Sequence, residues 1–181
     1  MRYFIGCHIR GEAAEYYRDT CADLAARFGV EDVSAIVPPH FTVKTAFERP
    51  SITGIDDLVS SLAVAAACPI SLSNWNHFGT RTIFIDSPET PGELKAFVAD
   101  ILKKLAAAGI PVSPQDQAFQ LRLSIARFLK PNEHDLVWKH LQSFPAPKFD
   151  LSFDNLTIFV KENRDDKAWK ILKTFPLMGK R

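Results

Sequence analysis

Apolar and polar positions alternate along the chain in two distinct rhythms. In "RYFIGCHI" (2–9), "HFTVKTAF" (40–47) and "QAFQLRLSIARFL" (117–129) the period is two, with β-branched and aromatic residues, and these segments read as strands. In "GEAAEYYRDTCADLAARFG" (11–29) and "PGELKAFVADILKKLAAAG" (91–109) apolar residues recur at helical spacing. Gly29 and Gly109 stand past the ends, and Pro91 stands near the second start. "GIDDLVSSLAVAAA" (54–67) and "NEHDLVWKHLQSF" (132–144) read as further helices, the latter capped by Asn132. "CPISLSNWNHFGTRTIFIDS" (68–87) predicts two strands joined near His77 to Gly79, and "KFDLSFDNLTIFVKEN" (148–163) predicts two more joined at Asp154-Asn155. "DKAWKILKTFPL" (166–177) fits a strand or a short helix.

Adjacent strands without helical crossovers call for antiparallel pairing, so the order predicts an α+β fold. No linker, low-complexity tract or charge block divides the chain, and residues 1–181 read as a single domain. The two halves echo each other faintly. Each places a helix before a strand that carries a large polar residue, one intervening residue and a hydroxyl residue: His40 and Thr42 in the first, Arg122 and Ser124 in the second.

On a strand, alternate side chains share a face. His40, Thr42 and Lys44 would then line one face of the first segment, and Arg122, Ser124 and Ala126 one face of the second. If the two polar faces meet across a cleft, they suit a phosphate. The hydroxyls donate hydrogen bonds, Arg122 offers a planar fork, Lys44 adds a point charge, and His40 moves a proton near neutrality. Each residue also has a plainer reading. His40 would be a polar strand end, Lys44 an edge charge against aggregation, and Arg122 the partner of an acid such as Asp86 or Asp154. Arg127 falls on the opposite parity to Arg122, which puts it outside the cleft or at its rim. His77 lies in an expected turn that reaches over the cleft and supplies a proton, or it is a solvated loop residue. Trp75 and Phe78 beside it suit stacking on a base.

Composition narrows the classes. With 46% hydrophobic and 24% charged residues and a net charge of +1, the chain is an ordinary globular protein, without the basic excess of a general nucleic-acid binder. Cys7, Cys21 and Cys68 form no C-x-x-C pair and read as reduced thiols of a cytoplasmic protein. Residues 1–9 lack a signal-peptide pattern, no apolar run is long enough to cross a membrane, and the size suits a monomer. His8 beside Cys7 lacks further ligands for a metal, His134 and His140 read as surface residues, and no phosphate loop, dinucleotide turn or nucleophile elbow occurs. No cofactor is expected.

"PPHFTVK" and "FQLRLSIARFL" together resemble the paired motifs of the 2H phosphoesterase superfamily, the 2′-5′ RNA ligase-like and cyclic phosphodiesterase-like proteins. That resemblance implies a bilobal fold, with two antiparallel sheets forming a central cleft and helices on their outer faces. It implies metal-independent hydrolase chemistry on 2′,3′-cyclic or 2′-5′ phosphodiesters, with RNA ends or small cyclic nucleotides as partners. His40 and Thr42 match the first motif, and Ser124 with Ile125-Ala126-Arg127 matches the second. Arg122 stands where the second histidine belongs. By the resemblance, His40, Thr42, Arg122 and Ser124 are the catalytic set; Lys44, His77 and Phe78 are candidate substrate contacts by their own positions along the chain. Arginine keeps its proton, so the expected outcomes are a slow enzyme, an enzyme with a borrowed proton donor, or a binding protein of the same fold.

Overall fold

The alternating segments do form strands. In the computed structural model, which describes residues 1–163 and 165–178, β1 (Arg2–His8) lies between β2 (His40–Glu48) and β8 (Asn155–Lys161), and β9 (Lys170–Pro176) closes the far edge. All neighbours in this four-stranded sheet are antiparallel. Its apolar face carries Tyr3, Ile5, Cys7, Phe41, Val43, Leu156 and Ile158, all buried.

The second half builds β3 (Cys68–Ser73), β4 (Trp75–Phe78), β5 (Thr82–Asp86), β6 (Arg122–Arg127) and β7 (Lys148–Phe153). These form a β3–β7 pair and a β4–β5–β6 sheet, not the single second sheet expected. The division falls at Asn74, whose left-handed backbone (φ 71°) breaks the run between β3 and β4. Asparagine tolerates this conformation because its short side chain bonds locally. The β4–β5 turn accordingly lies beyond Phe78, and His77 is in a strand.

Helices α1 (Glu12–Phe28) and α5 (Pro131–Gln142) pack on β6 and β5, while α2 (Ile55–Leu62) meets β9 and α3 (Gly92–Ala107). Gly29 ends α1 in the left-handed conformation that lets its N–H reach the Ala25 carbonyl. The alanines after Leu62 do not extend α2, because the chain turns there to enter β3 at Cys68. The start of α5 is set by Pro131 and by Glu133, whose carboxylate accepts the Lys130 N–H, and not by Asn132. The long strand expected over 117–129 begins only at Arg122, because Ser113 and Asp116 cap a short helix, α4 (Pro114–Gln117), just before it.

Two bulges matter most for the site. In the β1–β2 ladder Gly6 faces Thr42 but Ile5 faces Lys44, leaving Val43 as an extra residue. In the β5–β6 ladder Phe84 faces Ser124 but Ile83 faces Ala126, leaving Ile125 extra. Each bulge follows the hydroxyl residue of its motif and inverts the faces beyond it. The faint echo in the sequence thus has a structural counterpart.

Candidate active site

A cleft of about 350 Å³ is lined from the first sheet by His40, Thr42 and Thr45 and from the β4–β5–β6 sheet by Arg122, Ser124 and Arg127. That volume lies in the range of small-ligand sites. The two halves of the pattern found in the sequence therefore do converge. They converge because the apolar partners of these residues, Phe41 and Val43 on one strand and Leu123 and Ile125 on the other, are buried at 1% exposure or less. Gly6 permits the close approach on the first side. A β-carbon there would stand 2.5 Å from the Phe41 carbonyl oxygen and 3.5 Å from the His40 ring.

His40 packs against Phe4 and Phe159, with ring centroids at 4.7 and 5.3 Å. Its Nδ1 lies 2.8 Å from the Pro38 carbonyl oxygen, which can only accept. Nδ1 therefore carries the proton, and in the neutral ring Nε2 is left as a base. Burial drives the His40 pKa down from 6.5 to about 4. The Pro38 hydrogen bond opposes that shift, and the positive charge of Arg127 and the charge on His8 add to it. The ring is thus neutral at pH 7, with Nε2 free to accept a proton as a weaker base than an exposed imidazole.

Arg122 is half-buried, with its guanidinium carbon 4.5 Å from the centre of the Phe78 ring. Its pKa is lowered by burial and by Arg127, against the nearby Asp86, but a guanidinium stays charged in water-accessible protein sites. Among the described residues it has no carboxylate within salt-bridge distance. Asp154 pairs with Arg10, and Asp86 accepts instead from Asn76 at 2.8 Å and Gln120 at 3.1 Å. The salt-bridge reading of Arg122 is therefore replaced by a cation held at the cleft wall.

Arg127 corrects the parity argument. The Ile125 bulge pairs it with Thr82, on the Phe84–Ser124 face, so it lines the cleft. The same bulge turns Ala126 into the core. Arg2 and Lys161 complete the cationic lining, and Trp169 packs edge-on against Phe4 at 4.8 Å. Asp116 is the single acid of the lining among the described residues.

Lys44 is not on the cleft. The Val43 bulge places it on the core face, 2% exposed, with Nζ 3.0 Å from the Asp116 carboxylate. The same carboxylate accepts the Thr45 N–H at 2.7 Å and both the N–H and hydroxyl of Ser113 at 2.8 Å. Burial raises the Asp116 pKa, but these donors outweigh it and hold the group at about 2. The expected point charge at the cleft is a buried ion pair that pins β2 to α4.

His77 also misses the cleft. It opposes Ile83, on the far face of the sheet from Arg122, and packs against His134 and Trp138 at 5.0 and 4.7 Å. It does not line the cleft, and Trp75 on the same face of the strand packs on Tyr16. His134, expected at the surface, is buried at 5% exposure in this cluster. Phe78 does share the Arg122 face and is 44% exposed. Sequence reasoning missed Arg127, Asp116 and Gln120. Only the polar spacing "S-P-Q-D" pointed to Asp116, as a capping signal.

Comparison with known proteins agrees with this architecture. Residues 15–165 match the 2'-5' RNA ligase superfamily, and the chain belongs to that family. No curated protein matches the sequence. Among solved structures, E. coli LigT complexed with 3'-AMP is similar at a TM-score of 0.64, with 15% identity over 97% of each chain. TT0787 of Thermus thermophilus is similar at 0.62, with 18% identity over 100% of each chain. At these identities the likeness concerns the fold. No helix among the described residues is long and apolar enough to cross a membrane.

Proposed function

We propose that the cleft is a phosphodiester site acting on 2′,3′-cyclic or 2′-5′ phosphodiesters of RNA or nucleotides, with one histidine in place of the usual two. The observation that carries this reading is the convergence of His40 and Thr42 with Arg122 and Ser124 on one cleft. Its only acid among the described residues is already paired with Lys44. A 3'-AMP complex on the same fold in E. coli LigT supports a nucleotide ligand.

On a cyclic phosphate, His40 Nε2 takes a proton from water as the water oxygen bonds to phosphorus. The bond from phosphorus to a ribose oxygen breaks, and that oxygen collects a proton from solvent, to which His40 later releases its own. Arg122 and Arg127 stabilise the charge that builds on the phosphate, and Thr42 and Ser124 donate to its oxygens. Arg122 takes the place of a general acid without acting as one. A missing acid lowers the rate by about 10²–10⁴-fold.

A second reading, a nucleotide- or RNA-end-binding protein without turnover, is favoured by one observation. His40 is the single imidazole among the described cleft-lining residues, and its depressed pKa makes it a weak base; Tyr17 donates to the Val37 carbonyl and its pKa is raised by burial.

The test is ring opening of 2′,3′-cyclic nucleotides and of RNA ending in a cyclic phosphate. Turnover by the native protein that vanishes in His40→Ala supports the one-histidine enzyme. Activity that emerges only in Arg122→His supports the binding protein. Binding and turnover absent in all three proteins, on every substrate, would sink both readings.

A further inference from the structure

Among the described residues, two that are not glycine have left-handed backbones, Asn74 and Phe128. Asparagine suits that conformation. Phenylalanine does not, because its β-carbon and ring crowd the adjoining carbonyl. Phe128 (φ 58°) ends β6, where glycine or asparagine would make the same turn without strain. Its ring gains little by packing, since it is 63% exposed. Strain and exposure at one residue are retained where a site requires them.

Phe128 borders the cleft, and the guanidinium carbon of Arg127 lies 5.2 Å from the centre of its ring. Across the same wall, Arg122 stands 4.5 Å from the exposed ring of Phe78. Each arginine of β6 thus has an uncovered phenylalanine beside it. Charge for a phosphate next to a flat apolar face is the combination that holds a nucleotide of an unpaired strand.

We propose that Phe128 is a stacking platform for a nucleobase of a single-stranded RNA end whose phosphate sits against Arg122 and Arg127, so that the site selects base-bearing ends over bare sugar phosphate. This rests on the reading of the cleft as a phosphodiester site. Phe128 is then a specificity residue, and its strained backbone holds the ring at the cleft mouth.

The test compares two labelled probes: a short single-stranded oligoribonucleotide with a 3′-phosphate, and the same strand with abasic riboses at its last two positions. Fluorescence anisotropy gives the affinity of each for the native protein, Phe128→Gly, Phe128→Leu and Phe128→Trp. The native protein is expected to prefer the base-bearing strand by about 5- to 150-fold, the worth of one aromatic stack. Phe128→Gly and Phe128→Leu lose that preference while binding the abasic strand as the native protein does, and Phe128→Trp keeps it. Phe128→Gly also melts no lower than the native protein, because it relieves the left-handed strain. A base preference that survives in Phe128→Gly overturns the platform and leaves the phosphodiester reading intact. A native protein that binds neither strand removes both.

Discussion

The buried Lys44–Asp116 pair offers the sharpest separation between structural and ligand-binding roles. Asp116→Asn keeps the shape of the side chain but leaves the Lys44 ammonium, 2% exposed, without its anion and with neutral acceptors alone, the Thr45 carbonyl at 3.0 Å and hydroxyl at 3.4 Å and the new amide oxygen. Breaking one side of a buried pair costs about 3–5 kcal/mol. For a chain of this size each kcal/mol moves the melting temperature by about 2–4 °C, so a drop of about 6–20 °C is expected. Lys44→Met removes the charge and fills the space. Asp116 then retains the N–H groups of Thr45 and Ser113 and the Ser113 hydroxyl, and the expected loss is smaller, about 1–3 kcal/mol. The double variant should recover part of the sum, with a coupling of about 1 kcal/mol or more. Melting and urea unfolding supply these values, and titration with a cyclic nucleotide well below the transition supplies the second readout. The double variant, which leaves no unpaired carboxylate beside the cleft, should bind within about twofold of the native protein, because the Lys44 side chain faces the core and not the cleft. A double variant that melts like the native protein but has lost binding would refute the reasoning and restore Lys44 as a ligand cation.

The pKa of His40 is depressed in the folded protein, from 6.5 to about 4, so its contribution to stability is present above pH 6.5 and is lost as pH falls through 4. Urea unfolding between pH 7.5 and 4 should show native protein losing up to about 3 kcal/mol relative to His40→Phe over that window, and a flat difference would mean that the ring is not held neutral. If turnover is found, its acidic limb should fall near pH 4 and not near 6.5, read from the pH dependence of kcat/KM. Arg127→Met should weaken phosphate-ligand binding by about tenfold or more and raise the His40 pKa, followed by NMR titration of the ring; an unmoved His40 pKa would place Arg127 too far away to act. Gly6→Ala should destabilise by about 1–3 kcal/mol and disturb the His40 ring, because the added carbon meets the Phe41 carbonyl; an unchanged melting temperature and ring spectrum would contradict the close approach.

The chain's own pattern determined a good deal. Period-two alternation and helical spacing located the strands and helices, because burial of one face is enforced residue by residue along an element. The α+β class and antiparallel pairing followed from their order, and His40, Thr42, Arg122 and Ser124 lie before either bulge, where alternation still holds. What only the tertiary structure decided lies beyond the bulges. Val43 and Ile125 each insert one residue against the neighbouring strand, and from there inside and outside exchange. Counting by twos therefore put Lys44 in the cleft and Arg127 outside it or at its rim, whereas Lys44 faces the core and Arg127 lines the cleft. His77 was misplaced for a related reason: Asn74 broke the strand early and moved the turn past Phe78. A bulge is set by pairing with a strand far away in sequence, such as β1 against β2 or β5 against β6, and one segment's alternation carries no record of its partner's register.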